Sequence, residues 1–407
     1  MPELRLLFLQ MAVILIASRV MAALFRFIGQ PAVVGEMAAG IALGPSLLGR
    51  VLPAAMNGLF PADGLGPLFA LSQLGLVLFM FLVGLELRPA SVRASAKSVF
   101  MASQASVFAP LVLGGGLAFA LYPRLGNGAP RLPFGLFLGA AMAVTAFPVL
   151  ARILADRKLT DTRVGIVAIS CAAFDDVTAW CLLAVVTVIA RPEAAHIPLL
   201  WRFAMLAAYI LTMVFAVRPA LRRLLPAGAT PASGTLGAVM ILLLLSAWST
   251  EALAVHALFG AFMAGVVMPR AGVLERELRD RIESIALTLL LPLFFAYNGL
   301  RTSIGLLNSP MLWILCGLIV LVAVGSKLIV NALIVHAAGM PWRESWAVGV
   351  LVNARGLVEL VILNVGLDLG ILSPTLFSMM VIMALTTTLM TTPLLDRILQ
   401  PGAIRGS

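Results

Sequence analysis

Apolar residues dominate this chain in long uninterrupted runs, and polar residues collect in the short segments between them. The runs lie near 4–25, 31–49, 65–87, 97–122, 133–154, 163–190, 198–222, 234–252, 256–270, 284–301, 310–338, 344–366 and 374–398. About 20 apolar residues in helical form cross a hydrocarbon core of about 30 Å. The pattern therefore predicts an all-α polytopic membrane protein of about 13 transmembrane helices. A β-barrel would instead alternate apolar and polar positions over segments of about ten residues, and no such alternation is visible. The first run is long for a signal peptide and has no clear small-residue cleavage site, so it reads as a retained span.

The runs repeat in order. Gly35-Glu-Met-Ala-Ala39-Gly40-Ile41 in span two matches Gly260-Ala-Phe-Met-Ala264-Gly265-Val266 in span nine. Leu78-Phe79 and Gly84-Leu85 in span three match Leu293-Phe294 and Gly299-Leu300 in span ten. Val144-Thr145-Ala146 in span five matches Val352-Asn353-Ala354 in span twelve. The offset is seven spans in each case. Because seven is odd, the halves are inverted relative to the membrane, as in transporters that work by alternating access. The expected organisation is one membrane transporter domain over 1–400. Its first repeat is about 4–190, its linking helix about 198–222 and its second repeat about 234–398. A short cytoplasmic tail, 401–407, is expected to follow, without a nucleotide-binding module.

Composition agrees with this class: 61% of residues are hydrophobic and 11% charged. A net charge of +10 would suggest nucleic acid in a soluble protein. Here eighteen of the 28 cationic residues fall on one set of loops and seven on the other, while Arg19, Lys327 and Arg355 lie within spans. Such asymmetry marks the cytoplasmic side. It places the N-terminus outside and the C-terminus inside, and no nucleic-acid partner is expected. The three cysteines, Cys171, Cys181 and Cys316, sit in apolar runs and define neither a disulfide framework nor a metal site.

The polar residues inside the spans carry the chemistry. Asp175 and Asp176 are adjacent in the middle of span six, within Phe174-Asp-Asp-Val-Thr178. A carboxylate at the bilayer centre costs about 2.5–3.5 kcal/mol on insertion scales, and such residues mark ion or proton pathways. Neighbours on a helix point about 100° apart, so one can hold a permanent partner while the other faces a water-filled cavity. Lys327 is the lysine deep in a span, and one of the two aspartates is its natural counter-ion. Two spans carry helix-breaking sequence at corresponding places, Thr145-Ala-Phe-Pro148 and Asn353-Ala-Arg355-Gly356. A broken helix frees carbonyls and half-helix dipoles to bind ions where it lines a cavity. Arg355 and Glu359 are four apart and can pair on one helix face. Glu36, near the start of span two, is either structural or tunes access, and His256 and His336, near span ends, read as interface residues. No His/Glu metal motif or Gly-x-Ser-x-Gly elbow occurs among the spans, so neither an enzyme nor a cofactor is expected.

Several strings resemble a known family, the second branch of the monovalent cation:proton antiporters. They are Pro31-Ala-Val-Val-Gly-Glu36, Gly40-Ile-Ala-Leu-Gly-Pro-Ser46, Gly84-Leu-Glu-Leu87, Ala143-Val-Thr-Ala-Phe-Pro-Val-Leu-Ala-Arg152, Phe174-Asp-Asp176 and Asn353-Ala-Arg-Gly-Leu-Val-Glu-Leu360. The branch includes bacterial Na⁺/H⁺ antiporters, glutathione-gated potassium-efflux (Kef-type) antiporters and plant cation/H⁺ exchangers. The resemblance implies a core domain with two crossed, broken helices that moves like an elevator against a homodimer interface. It implies that Asp176 binds the transported Na⁺, K⁺ or proton, with Thr145 beside it, and that Asp175 pairs with Lys327. Members with this acid pair and lysine tend to be electrogenic. The expected activity is exchange of a monovalent cation, Na⁺ before K⁺, for protons in a bacterial inner membrane. A K⁺/H⁺ exchanger, a sodium-coupled symporter and a cation channel are the alternatives.

Overall fold

The long apolar runs fold as helices because a backbone in lipid must satisfy its own hydrogen bonds. In a computed structural model of the chain, the described residues are 2–61, 64–86, 96–126, 128–160, 162–190, 198–224, 234–253, 255–269 and 272–399. Every element they form is helical. The tail 401–407, Lys97 as a side chain, and several of the loop cations that set the expected orientation (Arg88, Arg93, Arg191, Arg270) lie outside the described residues.

Among the described residues, ten helices are long and apolar enough to cross a membrane, fewer than the 13 or so expected. The other three expected spans are short or interrupted. The segment near 256–270 is an 11-residue helix, Ala257–Val267. Span five splits into Arg131–Ala143 and Phe147–Asp156, and span twelve into Trp342–Val352 and Leu357–Asp368. The two interruptions fall at the helix-breaking strings read in the sequence, near Thr145–Pro148 and Asn353–Gly356, whereas the hydropathy of 256–270 did not reveal how short its helix is.

The described residues sort into two compact units, each drawing on both halves of the chain. The first comprises 1–15, 58–88 and 184–297; the second comprises 16–57, 89–183 and 298–407. Within the first, Gly84 on the helix Gly66–Glu86 packs against Gly265 on Ala257–Val267. A Cβ at either position would strike the other helix's backbone. Within the second, Gly299 packs against the Gly40–Ile41 backbone in the same way. The residues matched between repeats thus form matched contacts: span three touches span nine, and span ten touches span two. Small residues at such crossings let helix backbones approach closely where no hydrophobic drive joins helices in lipid.

The second unit also holds both broken helices. A continuous apolar cluster surrounds them, with Val149, Leu150 and Ile153 from the first, Val348, Leu351 and Val352 from the second, and Val167, Ala168 and Cys171 from the helix Arg163–Ala190. This packing fixes the two breaks against each other.

Candidate ion-binding site at the crossing of the broken helices

The first break spans Val144–Ala146 and the second Asn353–Gly356. Pro148 is not within the break. It is the second residue of the helix Phe147–Asp156, where a missing N–H costs nothing because first-turn donors have no intrahelical partner. The two breaks are bonded directly: the Ala146 N–H donates to the Ala354 carbonyl at 3.0 Å. The Thr145 hydroxyl lies 2.9 Å from the Val352 carbonyl, so it can cap the C-terminal end of the half-helix Trp342–Val352.

The second break answers with Arg355. Its guanidinium donates to the carbonyls of Met142 at 2.7 Å and Ala141 at 3.3 Å, in the last turn of the half-helix Arg131–Ala143. A cation at the carbonyl end of a helix offsets the partial negative charge there. The same guanidinium is 3.2 Å from Glu359 Oε1, and both side chains are fully buried. The expected Arg355–Glu359 pair is therefore present, and it also ties one broken helix to the other. Thr388, on the last helix Pro374–Ile398, accepts from the Arg355 N–H at 2.9 Å and lies 2.6 Å from the Arg355 carbonyl.

Asp175 and Lys327 meet beside the crossing. Lys327 Nζ is 2.6 Å from Asp175 Oδ2, with both side chains fully buried. The ammonium also donates to Thr145 Oγ1 at 2.7 Å and Ser106 Oγ at 2.9 Å, which occupies its three protons. Ser106 and Thr145 each lie 2.5 Å from the same Asp175 oxygen. Lys327 sits in a π-helical turn, Gly325–Ile329, between the helices Pro310–Val324 and Val330–Ala337. Such single turns inside α-helices occur often at functional sites.

Several polar atoms at this crossing have no hydrogen-bond partner among the described residues. They are Oδ1 of Asp175, Oδ1 of Asp176, both polar side-chain atoms of Asn353, Nε of Arg355 and Oε2 of Glu359. Asp176 and Asn353 are each 1% exposed. An unsatisfied buried polar group costs about 1–3 kcal/mol, and more when charged. Carboxylate and amide oxygens are suited to hard cations, and carboxylates also take protons. Among the described residues, no group of three or more His, Cys, Asp or Glu forms a transition-metal cluster.

Of the residues expected at the site, Asp175, Lys327 and Thr145 form one hydrogen-bonded cluster, and Arg355 and Glu359 form an ion pair one helix break away. Asp176 lies next in the chain to Asp175 and makes no hydrogen bond through Oδ1. Sequence reading missed Ser106 and Thr388. Ser103 and Ser106, three apart in an apolar helix, and the threonine run 386–388 were visible signals, but small hydroxyls are common in membrane helices. His256 accepts the Leu258 N–H at the start of its helix, and His336 stacks on Trp342 at 3.7 Å.

Two helices broken at a common crossing, with a buried acid pair and a buried lysine beside them, define a membrane ion carrier of the inverted-repeat type. The family described as sodium/hydrogen exchanger, transmembrane, matches residues 13–400, and the chain belongs to it. It is 42% identical over 390 residues to the Na⁺/H⁺ antiporter NhaS4 of Synechocystis, covering 95% of each chain. It is 38% identical over 404 residues to cation/H⁺ antiporter 17 of Arabidopsis thaliana, and 32% identical over 413 residues to K⁺/H⁺ antiporter 1 of Saccharomyces cerevisiae. Those matches cover 98% and 99% of this chain but 49% and 47% of the relatives, so the chain spans about half the length of its plant and yeast relatives. The fold is that of the sodium proton antiporter MjNhaP1 of Methanocaldococcus jannaschii, with a TM-score of 0.63 at 15% identity, covering 97% of this chain and 96% of that one.

Proposed function

We propose that this protein is a secondary antiporter that exchanges Na⁺, or K⁺ in its place, for protons, with Asp176 as the residue that holds either ion. The observation that carries this reading is the buried Asp176 Oδ1 without a hydrogen-bond partner among the described residues, adjacent to an Asp175 whose Oδ2 is engaged by Lys327, Thr145 and Ser106. A bare carboxylate in such a place is costly. A proton or an alkali ion relieves that cost, and occupancy by one excludes the other. This exclusion couples the two fluxes. The bound ion also neutralises the charge that must cross the low-dielectric layer.

The 42% identity to the Na⁺/H⁺ antiporter NhaS4 of Synechocystis supports Na⁺, and the yeast K⁺/H⁺ relative keeps K⁺ as the second reading. Electrogenic exchange follows from the Asp175–Lys327 pair by resemblance to the family. The reading includes an elevator-like movement of the core, a homodimer, and a bacterial inner membrane with the C-terminus inside. The helix Phe203–Leu224 supports a lipid or partner contact, since only 11% of its most apolar stretch is buried within the chain. The carrier does not require a cofactor and performs no covalent chemistry.

The test is a vesicle assay. In everted vesicles, Na⁺ or K⁺ should dissipate an imposed pH gradient through the wild-type protein and not through Asp176→Asn. Retained exchange in that variant would remove Asp176 from the site. Conductance without proton movement would favour a channel, and uptake of an organic solute driven by Na⁺ would favour a symporter.

A further inference from the structure

Asn353 is the residue of the second break whose chemistry the exchange cycle has not used. Its neighbours are all engaged. The Val352 carbonyl is 2.9 Å from Thr145 Oγ1, the Ala354 carbonyl accepts from Ala146 N–H, and Arg355 is bonded through both N–H and carbonyl to Thr388. Asn353 is thus pinned between two backbone groups bonded to consecutive residues of the first break. Thr145, one hydrogen bond from Val352, is itself 2.5 Å from Asp175. Yet the Asn353 amide, 1% exposed, finds no hydrogen-bond partner among the described residues for either its oxygen or its nitrogen. A side chain serving only to end a helix or fill space would not need a buried, unsatisfied amide.

The local charges indicate what the amide is for. Lys327 neutralises Asp175, and Arg355 pairs with Glu359. Asp176 alone remains uncompensated within this set of five, so one monovalent cation or one proton brings the set to neutrality. Any further ligand must then be neutral. An amide carbonyl is such a ligand, because hard cations are held by carboxylate and amide oxygens together, and its NH₂ can donate to a carboxyl oxygen when a proton replaces the cation.

We propose that Asn353 is a cation-binding residue whose side-chain carbonyl completes the alkali-ion site together with the unpartnered carboxylate oxygens of Asp175 and Asp176. This rests on the exchange reading above and adds a neutral ligand from the opposite broken helix. Because field strength at the site sets which ion is preferred, Asn353 also sets the order among Li⁺, Na⁺ and K⁺.

The test uses the full chain, purified, with its unfolding midpoint followed as LiCl, NaCl or KCl is raised at fixed pH against a choline chloride control. The same preparations are assayed for exchange in proteoliposomes. Asn353→Ala should need at least tenfold more cation for the same rise in midpoint and for half-maximal exchange. Asn353→Asp, which keeps the shape and adds a charge, should change the order of preference among the three ions. It also serves if Asn353→Ala fails to fold. Unchanged half-saturation and unchanged order in the folded variants, with the cation response lost in Asp176→Asn, would overturn the role of Asn353 alone. A cation response that survives in Asp176→Asn would overturn the exchange site itself, and the Asn353 ligand with it.

Discussion

Asp175 is held one-sidedly: Lys327, Ser106 and Thr145 all lie within 2.6 Å of Oδ2, and Oδ1 has no hydrogen-bond partner among the described residues. Lys327 can remain a buried ammonium only because each of its protons has an acceptor, and Ser106 supplies one of them. Removing a single hydroxyl from such a cluster leaves a charged donor short of a partner. Hydrogen bonds to charged groups contribute about 1.5–3 kcal/mol. Ser106→Ala should therefore lower stability by about that amount, read as a lower thermal unfolding midpoint in detergent. Ser72, whose hydroxyl bonds only to a carbonyl on its own helix at 2.7 Å, is the control: Ser72→Ala should change the midpoint little. The acid pair and the lysine were legible in the sequence because charged residues are so rare within apolar runs. Ser106 was not, since nothing about a serine in a membrane helix reveals what stands opposite it.

At the level of elements, the two broken helices hold each other by exchanging caps. Thr145 reaches the end of Trp342–Val352, and Arg355 reaches the end of Arg131–Ala143. Removing Arg355 would leave Glu359 buried without its cation and two carbonyls without a donor. Breaking a buried ion pair by deleting one member costs about 3–5 kcal/mol. Arg355→Ala should destabilise the protein by that much, and Glu359→Ala by a comparable amount. The double variant should cost clearly less than the two together, a non-additivity measurable by a double-mutant cycle on denaturant unfolding. Additive losses would mean that the pair does not act as a unit. The sequence revealed that Arg355 and Glu359 could face each other, because four residues is one helical turn. It did not reveal that Arg355 caps the other broken helix, a contact across more than 200 residues that local spacing does not encode.

Across the whole molecule, the inverted repeat accounts for the pairing of contacts. Gly84 with Gly265, and Gly299 with Gly40, join spans taken from opposite halves of the chain. The proposed electrogenic cycle predicts a voltage effect at this scale. In proteoliposomes at a fixed pH gradient, clamping the membrane potential with K⁺ and valinomycin should change the rate of Na⁺-dependent proton movement. A rate indifferent to the clamp would indicate one proton per cation and remove the electrogenic assignment.

The amino-acid sequence by itself determined that the chain is helical and membrane-spanning, that its halves repeat in inverted order, and which acids and lysine lie buried. These follow from run length, spacing and charge, which are properties of residues near one another in the chain. Only the tertiary structure decided that the ninth expected span is an 11-residue helix, that Arg355 caps the other broken helix, and that Asn353 stands unpartnered among the described residues where the breaks meet. Those outcomes depend on which helices pack together. A polar atom's partners are set by neighbours brought from distant parts of the chain, and hydropathy along a single segment carries no record of them.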